Sequence, residues 1–378
     1  MTGGLGIAMV IPILPVYLTD SGLSFSLASV VLAGGGLGAM FGGLPVGALL
    51  GRFGEHRVLL LSLAAMGVAT ATLGVTTAVI GLTAMRVAHG VGQIGLRLSR
   101  QTFITRTVDT DMRGRSMALM GGSMRFAMLL GPILGGVLVD QVGYSWTFAI
   151  SGAATLSGLV PAILSEEGGN GANRDDERAR SGRDGALWPA LVRHRRALLV
   201  GGFGPALIMA VRQGRTIIIP LIGDSLEMSA SAIGFLVAVG TGADLLLFPV
   251  AGLVMDRFGR LAAIVPAFSL IGVGMLVLSA ADSVAMVLVA GVIMGVGNGI
   301  GSGSMLTLGS DLAPEDSPGQ FLSALASIQN LGRIIGPMLV GWFADAAGLS
   351  AAAVALAVTV FVALAWIVVL VGETGRSS

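Results

Sequence analysis

No cysteine occurs among the 378 residues, so disulfides and thiolate metal sites are excluded. Lysine is missing as well: all 22 basic residues are arginine. A Walker-type phosphate loop needs its lysine, which argues against ATP hydrolysis, and lysine Schiff-base chemistry is excluded. The bias itself reads as the coding preference of a GC-rich genome. Charged residues make up 11% and aromatics 5%, against 54% hydrophobic, a balance no ordinary soluble domain has. A net charge of +1 carries no nucleic-acid signal. The three histidines, His56, His89 and His194, are far apart in sequence and form no clustered catalytic set. No cofactor is expected. No cleavable leader is expected either, because an apolar run begins beside Met1 without a basic segment.

What is present is a series of apolar stretches long enough to cross a hydrocarbon core of ~30 Å. The pattern predicts an all-α membrane protein with twelve spans: Gly3–Leu18, Ser26–Leu50, Val58–Thr77, Ala78–Leu98, Met117–Val139, Trp146–Leu164, Ala197–Gly223, Ser231–Met255, Leu261–Ala280, Val284–Leu308, Phe321–Ala344 and Ala351–Val371. One set of loops holds Arg52, Arg57, Arg100, Arg106, Arg113, Arg115, the arginines from Arg174 to Arg196, Arg257, Arg260 and Arg376. The opposite set holds Asp20, Asp140, Asp224, Glu227, Asp282 and Asp345, and no arginine. The positive-inside rule places the arginine side, with both termini, in the cytoplasm.

A shift of 205 residues lays the second half on the first without a gap. Pro15 meets Pro220, Gly47 meets Gly252, Arg52-Phe53-Gly54 meets Arg257-Phe258-Gly259, and Gly90-Val91-Gly92 meets Gly295-Val296-Gly297. Gly131-Pro132 meets Gly336-Pro337, and Asp140 meets Asp345. The expected organisation is a six-helix bundle over 1–164, a polar cytoplasmic linker over 165–196 and a second bundle over 197–378. The same shift places the counterpart of the start of helix seven about two helical turns before Met1, so a truncated first helix is expected. Tandem repeats of helical units are a common build of secondary transporters, with the substrate site where the repeats meet.

Two short loops carry the sharpest motif. Gly252-Leu253-Val254-Met255-Asp256-Arg257-Phe258-Gly259-Arg260 follows helix eight, and Gly47-Ala48-Leu49-Leu50-Gly51-Arg52-Phe53-Gly54 follows helix two. Glycine permits tight turns and close helix approach, and the charges can bind neighbouring helix ends. The pair resembles the loop signature of the major facilitator superfamily. The first copy departs from it: Gly51 stands where the second has Asp256, and Glu55 is the candidate substitute for that latch. Helix five reads Gly131-Pro132-Ile133-Leu134-Gly135-Gly136, preceded by Arg125, and is similar to the Gly-Pro-x-x-Gly-Gly motif of the drug:proton antiporter branch. Helix eleven repeats it in part, with Gly332, Gly336, Pro337 and Gly341.

Charges at membrane depth are costly and usually face a cavity or a partner. Helix four carries Arg86, three residues before His89 and hence on the same face. It is similar to the family's helix-four Arg…Gly-x-Gly motif, whose arginine the resemblance associates with proton coupling. His89 is a second candidate because histidine titrates near neutral pH; a lone histidine is more often a packing donor. Helix seven carries Arg212 and Arg215. From Ala197 to Arg212 is about 22 Å of helix, and from Asp256 back to Asp244 about 18 Å. Matching depths make Asp244 a candidate partner of either arginine and the leading proton site; a purely structural ion pair is the competing reading. Asn298, in the glycine-rich helix ten, and Arg333 complete the candidates.

The resemblance covers nearly the whole chain. It implies helices 1, 4, 7 and 10 lining a cavity, two bundles rocking around a central site, and proton-coupled efflux of a small organic molecule through the bilayer by a protein working as a monomer in the plasma (inner) membrane. An uptake symporter on the same fold is the first alternative. A membrane-embedded enzyme or sensor is the second, disfavoured by the missing catalytic cluster and by a linker too short and polar to be a sensor domain. Five arginines against Asp244 disfavour a cationic substrate, and few aromatics argue against a cage for quaternary amines.

Overall fold

The computed structural model describes residues 2–164, 193–315 and 317–374. The expected linker falls mostly at 165–192, outside them. Among the described residues there is no strand. Seven helical stretches among the described residues are long and apolar enough to cross a membrane, and eight if a bent first pair counts as one span.

Helix 1 consists of Thr2–Val10 and Ile13–Asp20, bent by 44°. The expected span Gly3–Leu18 thus contains a break at Ile11-Pro12, where proline donates no backbone bond. Helices 2 and 3 share the run Phe25–Ala71, divided at Gly54 (φ 80). Helix 4 is Val79–Thr107, long enough to span but, with Arg86, His89 and Gln93 in its apolar stretch, not counted among the seven. Helices 5 and 6 share Thr110–Leu156, divided at Gly143 (φ 78). Helix 7 is Arg195–Ser225, helix 8 Ala230–Phe258 and helix 9 Arg260–Ser279. Helix 10 is Val284–Ile300 followed by Ser304–Asp311; helices 11 and 12 share Pro318–Trp366, divided at Gly348 (φ 86). The expected twelve segments are thus present. Their divisions at Gly54 and Gly143 recur 205 residues on at Gly259 (φ 96) and Gly348. Left-handed backbone at a tight helix-to-helix turn selects glycine.

Outward faces are apolar. Leu44 is 89% exposed, Ile80 86% and Leu246 79%, surfaces that a bilayer rather than water solvates.

The chain forms two compact units. Among the described residues, one takes those up to Leu23, those from Val30 to Leu164, and Ser229–Ala238. The other takes Ser24–Ser29, those from Arg193 to Met228, and those from Val239 onward. In the first, Phe148, Leu63 and Met66 are buried, with the Tyr17 ring 4.9 Å edge-on from Phe148. In the second, Phe268, Met275 and Ile264 are buried, and Trp366 Nε1 donates to Val200 O at 2.9 Å.

Each unit repeats the same polar fastening. Asp140 accepts the amides of Ala230 and Ser231 at 3.1 and 3.0 Å. Asp345, 205 positions on, accepts those of Phe25 and Ser26 at 3.0 and 2.9 Å. A carboxylate there satisfies the orphan amides of a first helical turn and complements the helix dipole. The Ser26 side chain and these amides hold the Asp345 carboxyl below its usual range.

A second fastening is repeated with its charges exchanged. Glu55 binds Arg106 at 2.9 Å, and the matching positions are Arg260 and Asp311, also at 2.9 Å. Each bridge ties the start of one helix to the end of the next. Glu55 therefore serves this bridge. Asp256 keeps an 82%-exposed side chain 3.7 Å from Arg260. The pair gives a direct prediction. Glu55→Arg sets two arginines together and lowers thermal stability, by about 1 kcal/mol for a partly exposed pair. The double change Glu55→Arg/Arg106→Asp restores it by adopting the second copy's arrangement. Thermal unfolding of the three proteins reads the result; additive losses would contradict it.

Candidate functional site

The glycines of the loop motifs divide in role. Gly54 and Gly259 make the positive-φ turns, whereas a Cβ on Gly47 or Gly252 would meet nothing within 4 Å. The expected close approach is not made at these last two. Arg52 and Arg257 each lie over the following phenylalanine ring, at 5.3 and 5.4 Å. In helix 5, Gly131 and Gly135 pack on Ala8 and Met9 of helix 1, while Gly136 packs on Ala230 at the start of helix 8. Helix 11 repeats the seam: Gly332 and Gly336 pack on Ala206 and Ala210 of helix 7. Pro132 and Pro337 lie inside these helices. Small residues allow this contact where no water drives association.

Helices 7, 8, 9 and 10 of the second unit bring four of the eight candidate polar residues together. Asn298 donates from Nδ2 to Asp244 Oδ2 at 2.8 Å. Arg215 is close enough to Asp244 for their charges to interact, and its Nη1 donates to Met294 O at 3.1 Å. Arg212 donates from Nη2 to Gly301 O at 3.3 Å, with its guanidinium 5.4 Å from the Phe268 ring centre. All four polar side chains are half-buried. The Oδ1 of Asn298 is buried and accepts no hydrogen bond among the described residues, leaving one acceptor for an incoming donor.

The expected continuous helix ten is in fact broken, and the break builds part of this site. The first segment ends at Ile300, Gly303 takes φ 81, and a new segment starts at Ser304. Carbonyls at a helix C-terminus lack intrahelical donors and carry the negative end of the dipole. Gly301 O answers Arg212 there. Unwound backbone within a span is tolerated where protein or a cavity satisfies it, and discontinuous helices commonly form transporter sites. The glycine run from Gly295 to Gly303 was the available signal. Met294 O and Phe268 had none.

The repeat acts as an internal control. Asp244, Arg215 and Arg212 correspond to Ala39, Val10 and Ile7, which are 3, 5 and 5% exposed in the first unit. The three charges of the cluster thus replace core side chains in one copy only, while Asn298 answers to a half-buried polar residue, Gln93, in the other. Packing requires no such replacement, and it costs stability unless used.

In the first unit, Arg86 lays its guanidinium over Gly35 of helix 2. Its Nε is buried without a hydrogen-bond partner among the described residues. His89, 8% exposed, has Nδ1 3.3 Å from Thr70 Oγ1 of helix 3, a packing contact. The two residues thus address different neighbours. Arg125 on helix 5 and Arg333 on helix 11 are each half-buried.

The profile of a family described as Major Facilitator Superfamily matches residues 1–213 and, a second time, residues 202–378. Tetracycline resistance protein, class C, of Escherichia coli is 29% identical over 344 residues, covering 89% of this chain and 85% of that protein. The uncharacterized MFS-type transporter MJ1560 of Methanocaldococcus jannaschii is 21% identical over 348 residues, 92% of this chain and 89% of that one. Among solved structures, a POT family transporter in complex with a thioalcohol-conjugated peptide superposes with a TM-score of 0.74 at 14% identity, over 97% of this chain and 93% of that one. A bacterial homologue of the human lysosomal transporter Spinster gives 0.73 at 16% identity, over 97% and 93%. At these identities the structural likeness speaks for the fold.

Proposed function

Because the chain belongs to the Major Facilitator Superfamily, we propose that it exports a small organic molecule in exchange for protons, by exposing its site alternately to the two sides of the membrane. It is a multi-pass membrane transporter and not an enzyme. The observation that carries the coupling is Asp244, held by Asn298 and facing the charge of Arg215, where the first copy has the buried Ala39. A carboxylate among apolar helices keeps its charge only with partners, so gain or loss of a proton changes how it is held. That is the property a proton-coupled cycle needs.

Two features support export over uptake: the Gly131-Pro132…Gly135-Gly136 seam that resembles the antiporter branch, and the similarity to a protein named for tetracycline resistance. Two arginines, Arg212 and Arg215, stand against the one carboxylate Asp244, a net positive balance that favours a neutral or anionic molecule. In the proposed orientation both termini and residues 165–196 lie in the cytoplasm, as arginine placement requires, and the protein acts as a monomer in the plasma membrane with no nucleic-acid partner. Everted vesicles test the reading. Energised vesicles from expressing cells should accumulate tetracycline, or another neutral or anionic compound of a panel, several-fold above control vesicles. Collapse of the proton gradient should abolish the difference. Accumulation in right-side-out vesicles instead would establish the uptake symporter.

A further inference from the structure

We infer that the first unit holds a second binding site, at the arginine-rich ends of helices 3, 4 and 5, for an oxyanion carried on an apolar body. A cavity of about 210 Å³ opens there, lined by Glu55, His56, Ser99 and Arg100 and otherwise by apolar side chains. It is smaller than the roughly 300–1,000 Å³ of pockets that enclose drug-sized ligands, which fits a headgroup better than a transported molecule.

Three polar groups on its wall lack what buried polar groups ordinarily have. Ser99 is 1% exposed, and its Oγ has no hydrogen-bond partner among the described residues. A helical serine in such a place normally returns its proton to a carbonyl one turn back. His56 Nε2 is buried and likewise has no hydrogen-bond partner among the described residues. Arg100 is half-buried, and among the described residues it makes neither a hydrogen bond nor an ion pair. The one acid on the wall, Glu55, is occupied by Arg106 at 2.9 Å, so the local charge is positive. Guanidinium, hydroxyl and imidazole converging on one space suit a phosphate or carboxylate.

The repeat shows that the fold does not need this cavity. Shifted by 205 residues, His56 becomes Leu261 and Arg100 becomes Met305. Ser99 becomes Ser304, whose Oγ donates to Gly301 O at 2.8 Å. Phe103, 44% exposed on the wall, becomes the fully buried Leu308. At the same place the second copy carries the apolar Leu261, Met305 and Leu308 and satisfies its serine; the first leaves three donors or acceptors unmet among the described residues. Such groups beside a membrane surface match an anionic phospholipid headgroup with its first methylenes. A soluble phosphate presents the same chemistry.

The test uses the purified full-length chain in neutral detergent, with thermal unfolding read by tryptophan fluorescence. Phosphatidylglycerol, phosphatidylcholine and inorganic phosphate are added in separate arms. We expect phosphatidylglycerol to raise Tm by about 3 °C over phosphatidylcholine, and the rise to vanish in His56→Leu/Arg100→Met, which carries the second copy's own residues. A response to inorganic phosphate of the same size, lost in the same variant, would assign a soluble ligand to the site. Equal responses to all three additions, or a variant that responds as fully as wild type, would overturn the inference. If that variant does not fold, Arg100→Gln replaces it, and native mass spectrometry of the wild type gives a second reading: absence of retained phosphatidylglycerol would also overturn a lipid-filled site. None of these readouts depends on transport, so they stand apart from the proposed export.

Discussion

Asp244→Asn is expected to abolish uphill accumulation of substrate while leaving binding, or exchange without a gradient, within about threefold of wild type, a change of less than 1 kcal/mol. The substitution keeps the shape of the side chain and a hydrogen-bonding partner for Asn298, 2.8 Å away. It removes the exchangeable proton and the charge that Arg215 faces. A purely structural pair would behave differently. It would lose folded protein on Asp244→Asn, because one buried charge is stranded, and recover it when Arg215 is also neutralised. Yield and transport in the single and double variants separate the two roles. Gradient-driven transport at the wild-type rate in Asp244→Asn would move the coupling site elsewhere, with His89 next to be examined.

The second large effect is on folding. A Cβ on Gly90 would run into Gly35 O, and one on Gly295 into Gly240 O, the same crossing 205 residues apart. These glycines set the contact of helix 2 with helix 4 and of helix 8 with helix 10. Gly90→Val or Gly295→Val should each cost about 3 kcal/mol or more and remove most monodisperse protein. Gly43→Val is the control, because a Cβ there meets nothing within 4 Å. Normal yield and Tm in both crossing variants would show that the helices separate at little cost.

The duplication made much of the fold legible, because identical residues at a constant offset marked the same turns and crossings. It hid what the copies do differently. The bridges Glu55–Arg106 and Arg260–Asp311 escape a search for identities because their charges are exchanged. Asp140 and Asp345 are conspicuous as a matched pair, but their role as helix caps depends on where helices 2 and 8 begin in space. The turn at Gly22 (φ 85) recurs at Glu227 (φ 57), the non-glycine residue with positive φ among those described, and nothing in glutamate announces a left-handed turn. Within the candidate site, depth along the helices brought Asp244 level with the helix-7 arginines. That Asn298 is its nearest partner, and that helix 10 opens at Gly301, are facts of packing across helices that spacing along one helix does not contain.

The central claim, that this chain couples export to protons, meets its most direct test in proteoliposomes of the purified protein with a pH-sensitive dye inside. An outward-directed gradient of tetracycline, or of whichever panel compound the vesicles accumulate, should drive protons in the opposite direction, and the dye signal should be absent with Asp244→Asn. Substrate flux of normal size with no accompanying proton movement in the wild type would contradict the account.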